Sequence, residues 1–169
     1  MNRSIFSTLL VVFSLFITST AFGEATFNGY EWGTTKSEMM KIVEKDHTIA
    51  QDQTLEGGVE AVTFRHELLG ENPYVIMYFT PEEKKLFHLV VYDDDEYLGS
   101  NIRSVLVDKY GKPDIDDGHI DEYVWLENGI TITLDCAYET SLHYYHNALA
   151  KESEKQSNEN LNKAASNTF

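Results

Sequence analysis

The segment 73-PYVIMYFTPEEKKLFHLVVY-92 carries the reading of the whole chain. Two runs rich in aromatic and β-branched residues, Tyr74 to Thr80 and Leu86 to Tyr92, are separated only by Pro81 to Lys85. Runs of this kind read as strands. A parallel pair needs a crossover of about a dozen residues or more, so a link this short predicts antiparallel neighbours. Tyr74-Val75-Ile76-Met77-Tyr78-Phe79 is apolar at both parities, which places that strand centrally, with one side under helices and the other carrying tyrosines. Upstream, Gly70-Glu71-Asn72-Pro73 is a turn signal, and Val59 to Leu68 after Gly57-Gly58 is a further strand. The region is a meander.

Helical patterns precede and follow it. After a short extended segment, Phe27 to Trp32, the sequence Thr35-Lys36-Ser37-Glu38 has the form of a capping box. Met39, Ile42 and Val43 then fall at i, i+3 and i+4, predicting a helix of about three turns that ends near Asp46. Downstream, Tyr97, Leu98, Ile102, Val105, Leu106 and Tyr110 make an apolar stripe at helical spacing. Gly111 can take the left-handed conformation that ends this second helix, and Pro113 stops it continuing. Asp93, Asp94, Asp95 and Glu96 meet the positive end of its dipole.

Beyond it, Tyr123 to Leu126 and Ile130 to Tyr138 flank Glu127-Asn128-Gly129, and Asn-Gly is a strong hairpin signal because both residues tolerate positive φ. Leu142 to Tyr145 adds a last strand. Cys136 lies in phase with Ile130, Ile132, Leu134 and Tyr138, the spacing of a buried strand residue. The expected fold class is therefore α+β: an antiparallel meander sheet with two main helices on one face, and a helix-then-meander topology repeated twice.

The ends set the domain limits. Arg3, an apolar run from Ile5 to Ile17, and the small residues Ala21 and Gly23 make residues 1-23 a signal peptide, with cleavage near Gly23. The run is shorter than the roughly 20 residues of a spanning helix. No cysteine follows it to take a lipid, so no stable membrane anchor is expected after cleavage. Residues 24-150 read as a single α+β domain. Residues 151-169, rich in Lys, Glu, Ser and Asn, read as a polar C-terminal tail, a frayed helix or disordered. The expected location is periplasmic or secreted.

The formal charge is -15, and loss of Arg3 with the leader takes it to -16. That field repels nucleic acid and anionic lipid and suits cations or basic partners. With Cys136 as the single cysteine, no internal disulfide is available and the hydrophobic core must hold the fold.

Two candidate sites emerge. The segment 114-DIDDGHIDE-122 has the composition of a calcium loop, with Asp114, Asp116, Asp117 and Asp121 as the metal candidates. Its register is not that of an EF-hand. Counting from Asp114, the glycine falls fifth and Trp125 twelfth, which favours a solvated acidic loop between a helix and an edge strand. The second candidate is tyrosine-rich: Tyr74, Tyr78, Tyr92, Tyr123, Tyr144 and Tyr145 fall on strands that can share one exposed sheet face, and tyrosine gives large contact area at low entropic cost. His143 and His146 would face opposite ways on a strand and chelate a metal only on a helix. Ser, His and Asp are present without a Gly-x-Ser-x-Gly elbow, and there is no Gly-rich phosphate loop.

The run Phe27-Asn28-Gly29-Tyr30-Glu31-Trp32-Gly33-Thr34-Thr35-Lys36-Ser37-Glu38-Met39 resembles the opening motif of small exported α/β modules, among them the β-lactamase-inhibitor-protein type and the small lipoprotein of the outer-membrane assembly machine. Lys109-Tyr110-Gly111-Lys112-Pro113 is similar to the helix exit of such modules. The chain also resembles uncharacterised small exported bacterial proteins with a Trp-Gly-Thr helix start. It departs from the two named types in lacking the inhibitor's disulfides and the lipoprotein's acylated cysteine. The resemblance implies a protein-binding module without catalysis.

The expectation is thus an exported non-catalytic binding module whose partner is another exported or envelope protein, with no nucleic acid and no cofactor. The alternatives are a calcium-binding protein using the acidic 114-122 loop and a hydrolase of unrecognised type.

Overall fold

The computed structural model describes Glu24–Ser166, and a single antiparallel sheet of eight strands runs through those residues. Helix α1 (Lys36–Val43) precedes β1 (Ile49–Thr54), β2 (Glu60–Arg65), β3 (Tyr74–Phe79) and β4 (Leu86–Asp93). Helix α2 (Glu96–Tyr110) precedes β5 (Ile115–Asp117), β6 (Glu122–Glu127), β7 (Ile130–Asp135) and β8 (Thr140–His146), and α3 (Asn147–Ser166) follows. The order across the sheet is β1-β2-β3-β4-β8-β7-β6-β5. Each half is a helix followed by a four-stranded meander, and the halves join at their last strands. This is the α+β architecture expected, with β8 central instead of a last addition. The signal peptide assigned to residues 1-23, and residues 167-169 of the assigned tail, lie outside the described residues.

Local chemistry sets the element ends. The Glu38 amide donates to Thr35 Oγ1 (3.4 Å) and the Thr35 amide to Glu38 Oε2 (3.2 Å), completing the capping box of α1. The Asp95 carboxylate accepts from the Tyr97 amide at the start of α2 (2.8 Å). Gly111 ends that helix at φ 82, and its carbonyl accepts from Trp125 Nε1 (3.0 Å), which ties the helix exit to β6. Asn128 and Gly129 both have positive φ, 48 and 85, as a tight β6–β7 turn requires.

The core lies between the sheet and α1 with α2. Val75, Met77 and Phe79 of β3 are fully buried with Met39 and Val43 of α1, Leu98, Ile102 and Leu106 of α2, and Trp125, Ile132 and Leu142 of the second half, in one continuous cluster. Burial of each such side chain contributes about 1.5 to 3 kcal/mol.

Five expectations need correction. Phe27 to Trp32 forms turns, not an extended segment. Val105 is 47 % exposed, because the residues of α2 that meet the sheet, Leu98, Ile102 and Leu106, are spaced by four and leave Val105 on the flank. Cys136 follows β7 and is only partly buried, and Tyr138 is 91 % exposed, because the chain turns away after Asp135. The acidic segment contributes a three-residue edge strand, β5, paired with β6. Residues 151-166 take the helical alternative as the body of α3, docked and not frayed, with Ser153 and Gln156 as its buried side chains. Gln156 Oε1 accepts from the Glu82 amide (3.1 Å) and Asn160 Nδ2 donates to the Gly57 carbonyl (3.0 Å), so hydrogen bonds dock a helix that apolar burial would not.

Candidate functional site

Strand pairing lays the open face of the sheet, opposite α1 and α2, out in transverse rows, because residues in register on neighbouring strands share a side. One row reads Ala61, Tyr78, His88, Tyr145 and Thr131 from β2 to β7. The next reads Thr63, Ile76, Val90, His143 and Thr133, and the third Arg65, Tyr74, Tyr92, Ser141 and Asp135. The aromatic and imidazole rings in these rows are partly exposed.

Of the six tyrosines expected on one face, Tyr74, Tyr78, Tyr92 and Tyr145 are brought together here. Tyr123 and Tyr144 are not: they are 6 % and 4 % exposed on the helix-covered side. Adjacent residues of a strand face opposite ways, so Tyr144 and Tyr145 cannot share a face, and the register of β6 turns Tyr123 inward with Trp125. Burial raises the Tyr144 phenol well above the ordinary tyrosine range.

The centre of the face is a ring stack across β3, β4 and β8. Tyr78 and Tyr145 lie against His88 with ring centres 4.7 and 3.9 Å away and planes within 14°. His143 sits beside it, with Nδ1 3.1 Å from His88 Nε2 and 3.3 Å from the Tyr145 hydroxyl, and Nε2 2.6 Å from Ser141 Oγ. Burial, then the neighbouring His143, pushes His88 down to about 3, and burial also lowers His143. Both imidazoles are therefore neutral near pH 7. At the rim Arg65 stacks on Tyr74 (3.4 Å), and the Tyr92 hydroxyl lies 2.8 Å from an Asp94 oxygen and 2.9 Å from a Glu139 oxygen. These carboxylates, Asp94 first, raise the Tyr92 phenol. A groove on the first-half side is lined by Gln51, Gln53, Thr63, Tyr74, Ile76, Tyr78 and Tyr92.

Ser141, His143 and His88 stand in the order of a nucleophile, a base and an orienting group. Acyl transfer also needs free donors for the oxyanion, and the amides of β8 are paired with β4 and β7 on both sides. Asp135, directly across from Ser141, adds a charge of the wrong sign.

The acidic candidates do not converge. Asp114 accepts from the Leu126 amide (2.8 Å), Asp116 lies 3.5 Å from Arg103 of α2, Asp117 accepts from the His119 amide (3.1 Å), and Asp121 accepts from the Tyr123 hydroxyl (3.3 Å). Asp116 and Asp117, as neighbours on β5, face opposite sides. Among the described residues no group of three or more His, Cys, Asp or Glu is placed to hold a metal ion. His143 and His146 occupy β8 and face opposite ways, as expected for a strand.

Sequence reasoning missed His88, His143 and Ser141 as a unit. No local pattern marks them, because 55 residues separate the two histidines and only the β4–β8 pairing joins them. Compared with known proteins, the chain matches no family model, no curated protein and no solved structure.

Proposed function

We propose that this chain is an exported, non-catalytic binding module that takes a segment of another exported or envelope protein across the open face of its sheet. The observation that carries the reading is the composition of that face. Its centre presents Tyr78, Tyr145, His88 and His143, with Tyr74 and Tyr92 at the rim and hydroxyls of Ser141, Thr131 and Thr133 around them. Rigid rings with a polar edge bury area at small entropic cost while keeping hydrogen-bonding groups at the surface. Asp135, Asp94 and Glu139 edge the aromatic centre, and the chain carries a formal charge of -15, so a segment mixing apolar and basic residues complements it. Neutral imidazoles add hydrogen-bonding capacity without charge. Export rests on Arg3, Ile5 to Ile17 and Ala21 to Gly23. No helix among the described residues is long and apolar enough to cross a membrane.

The test is photo-crosslinking in the producing cell. A crosslinking amino acid at Tyr78 or Tyr92 should give one discrete adduct, lost when Tyr145→Ser is added. The same probe at Tyr97, exposed on α2, should give none. Adducts from the helix side alone, or none from the sheet side, would refute the reading.

A further inference from the structure

The structure holds two histidine pairs, and their geometries differ. His88 Nε2 and His143 Nδ1 are 3.1 Å apart, with ring centres 5.3 Å apart and planes 16° apart. A linear N–H···N bond of that length sets the centres about 5.3 Å apart, each nitrogen lying roughly 1.1 Å from its ring centre. That pair meets head on.

His66 Nδ1 and His47 Nε2 are 3.3 Å apart, which head on would put the centres about 5.5 Å apart. They are 5.0 Å apart, with planes at 59°. The rings are therefore turned off the line joining the two nitrogens, and this pair does not meet head on. An ion about 2.0 to 2.1 Å from each nitrogen, at a near-tetrahedral angle, demands nitrogens about 3.3 Å and centres about 5 Å apart.

We propose that His47 and His66 form a two-point site for a borderline divalent transition-metal ion, of the Zn2+ or Cu2+ kind. Imidazole suits these ions, whereas calcium and magnesium prefer oxygen. Both backbones are fixed. The His47 amide donates to the Val43 carbonyl at the end of α1 (2.9 Å), and the His66 amide, just past β2, to the Pro73 carbonyl just before β3 (3.1 Å). Phe64 lies against His47, and Phe27 edge-on to His66, so the rings are held before an ion arrives. Since no group of three or more His, Cys, Asp or Glu among the described residues is set to hold an ion, the other coordination positions fall to water and the ion exchanges readily.

Protein without a histidine tag, titrated calorimetrically with ZnCl2 and CuCl2, should bind one ion saturably, with MgCl2 and CaCl2 giving no heat. His47→Gln and His66→Gln should each weaken binding at least tenfold, while His119→Gln, at an exposed position on the acidic segment, keeps wild-type affinity. Electron paramagnetic resonance of the Cu2+ form should show two nitrogen ligands, and one in either single variant. Circular dichroism of each variant confirms that it is folded before titration. No saturable binding up to millimolar ion, unchanged affinity in both single variants, or loss in His119→Gln would each overturn the proposal.

Discussion

Replacing Gly99 by alanine should destabilise the protein, although the same change inside an exposed helix stabilises by up to about 1 kcal/mol. Gly99 lies in the second turn of α2, facing the strand ends. A Cβ built there would stand 2.4 Å from Cys136 Cβ, 3.0 Å from Thr140 Oγ1 and 3.4 Å from Cys136 Sγ. Carbon atoms in contact sit about 3.5 to 4.0 Å apart, so the helix must lift by over ~1 Å or the Cys136 segment must yield. Overpacking of this kind costs about 1 to 3 kcal/mol, and the shift is large enough for the upper end. Lifting also stretches the bond from Thr140 Oγ1 to the Asp95 carbonyl (2.6 Å), which holds the start of α2 and contributes about 1 kcal/mol. After the propensity gain the net loss is about 2 to 3 kcal/mol, a fall in melting temperature of roughly 5 to 10 °C for a chain of this size. Thermal and urea melts measure it. Adding Cys136→Gly, which removes the nearest atom, should recover part of the loss, whereas Cys136→Ala keeps that atom and should recover little. A Gly99→Ala protein that melts above wild type would show that α2 does not approach Cys136 this closely.

Three further outcomes follow from the burial pattern and the titrating groups. Leu106→Ala, at 3 % exposure, should cost about 2 to 5 kcal/mol, while Val105→Ala should stay within about 0.5 kcal/mol; equal losses in chemical denaturation would put Val105 in the core after all. His88 is held near 3 when folded against 6.5 when unfolded, so the unfolded chain binds the extra proton and stability is lost as pH falls from 6.5 toward 3. Between pH 7.5 and pH 5 the wild type should lose about 2 kcal/mol more than His88→Gln, and parallel pH profiles would contradict the burial of this ring. The double variant Asp116→Asn/Asp117→Asn should melt like wild type with or without millimolar calcium; a calcium-dependent rise in the wild type that the variant lacks would restore the acidic segment as a cation site.

What was legible in the sequence was local chemistry. Thr35 and Glu38 cap α1, Asp95 and Gly111 bound α2, and Asn128-Gly129 makes its turn, each through atoms a few residues apart. The β3–β4 pair was legible because its link is too short for any other pairing. What escaped depends on distant partners. Strand β1 carries Gln51, Asp52, Gln53 and Thr54, polar at both parities, because as an edge strand it is almost wholly exposed and only β2 makes it a strand. Helix α3 lacks an apolar stripe, since what it docks with is Gln156 and Asn160. The tyrosine face was half legible. The period of two separates Tyr144 from Tyr145, but which of them faces the core depends on pairing with β4 and β7. The two histidine pairs, 19 and 55 residues apart in the chain, left no signal at all.

Asn160 of α3 grips the Gly57 carbonyl in the β1–β2 turn, 103 residues earlier in the chain. A chain that emerges from its N-terminus presents Gly57 before Asn160, and the interval lasts until those residues have followed. Throughout that interval the first meander exists without the helix that fastens its outer turn and without β8 beside β4. Both flanks of the nascent half-sheet, β1 on one side and β4 on the other, then present unpaired backbone groups of the kind that template wrong pairing. The polar side chains along β1 leave that flank weakly adhesive, but β4, with Leu89, Val90 and Val91, has no such protection. The flank most open to wrong pairing before the fold is complete is therefore residues 86-93, and it closes only when β8 has paired along them.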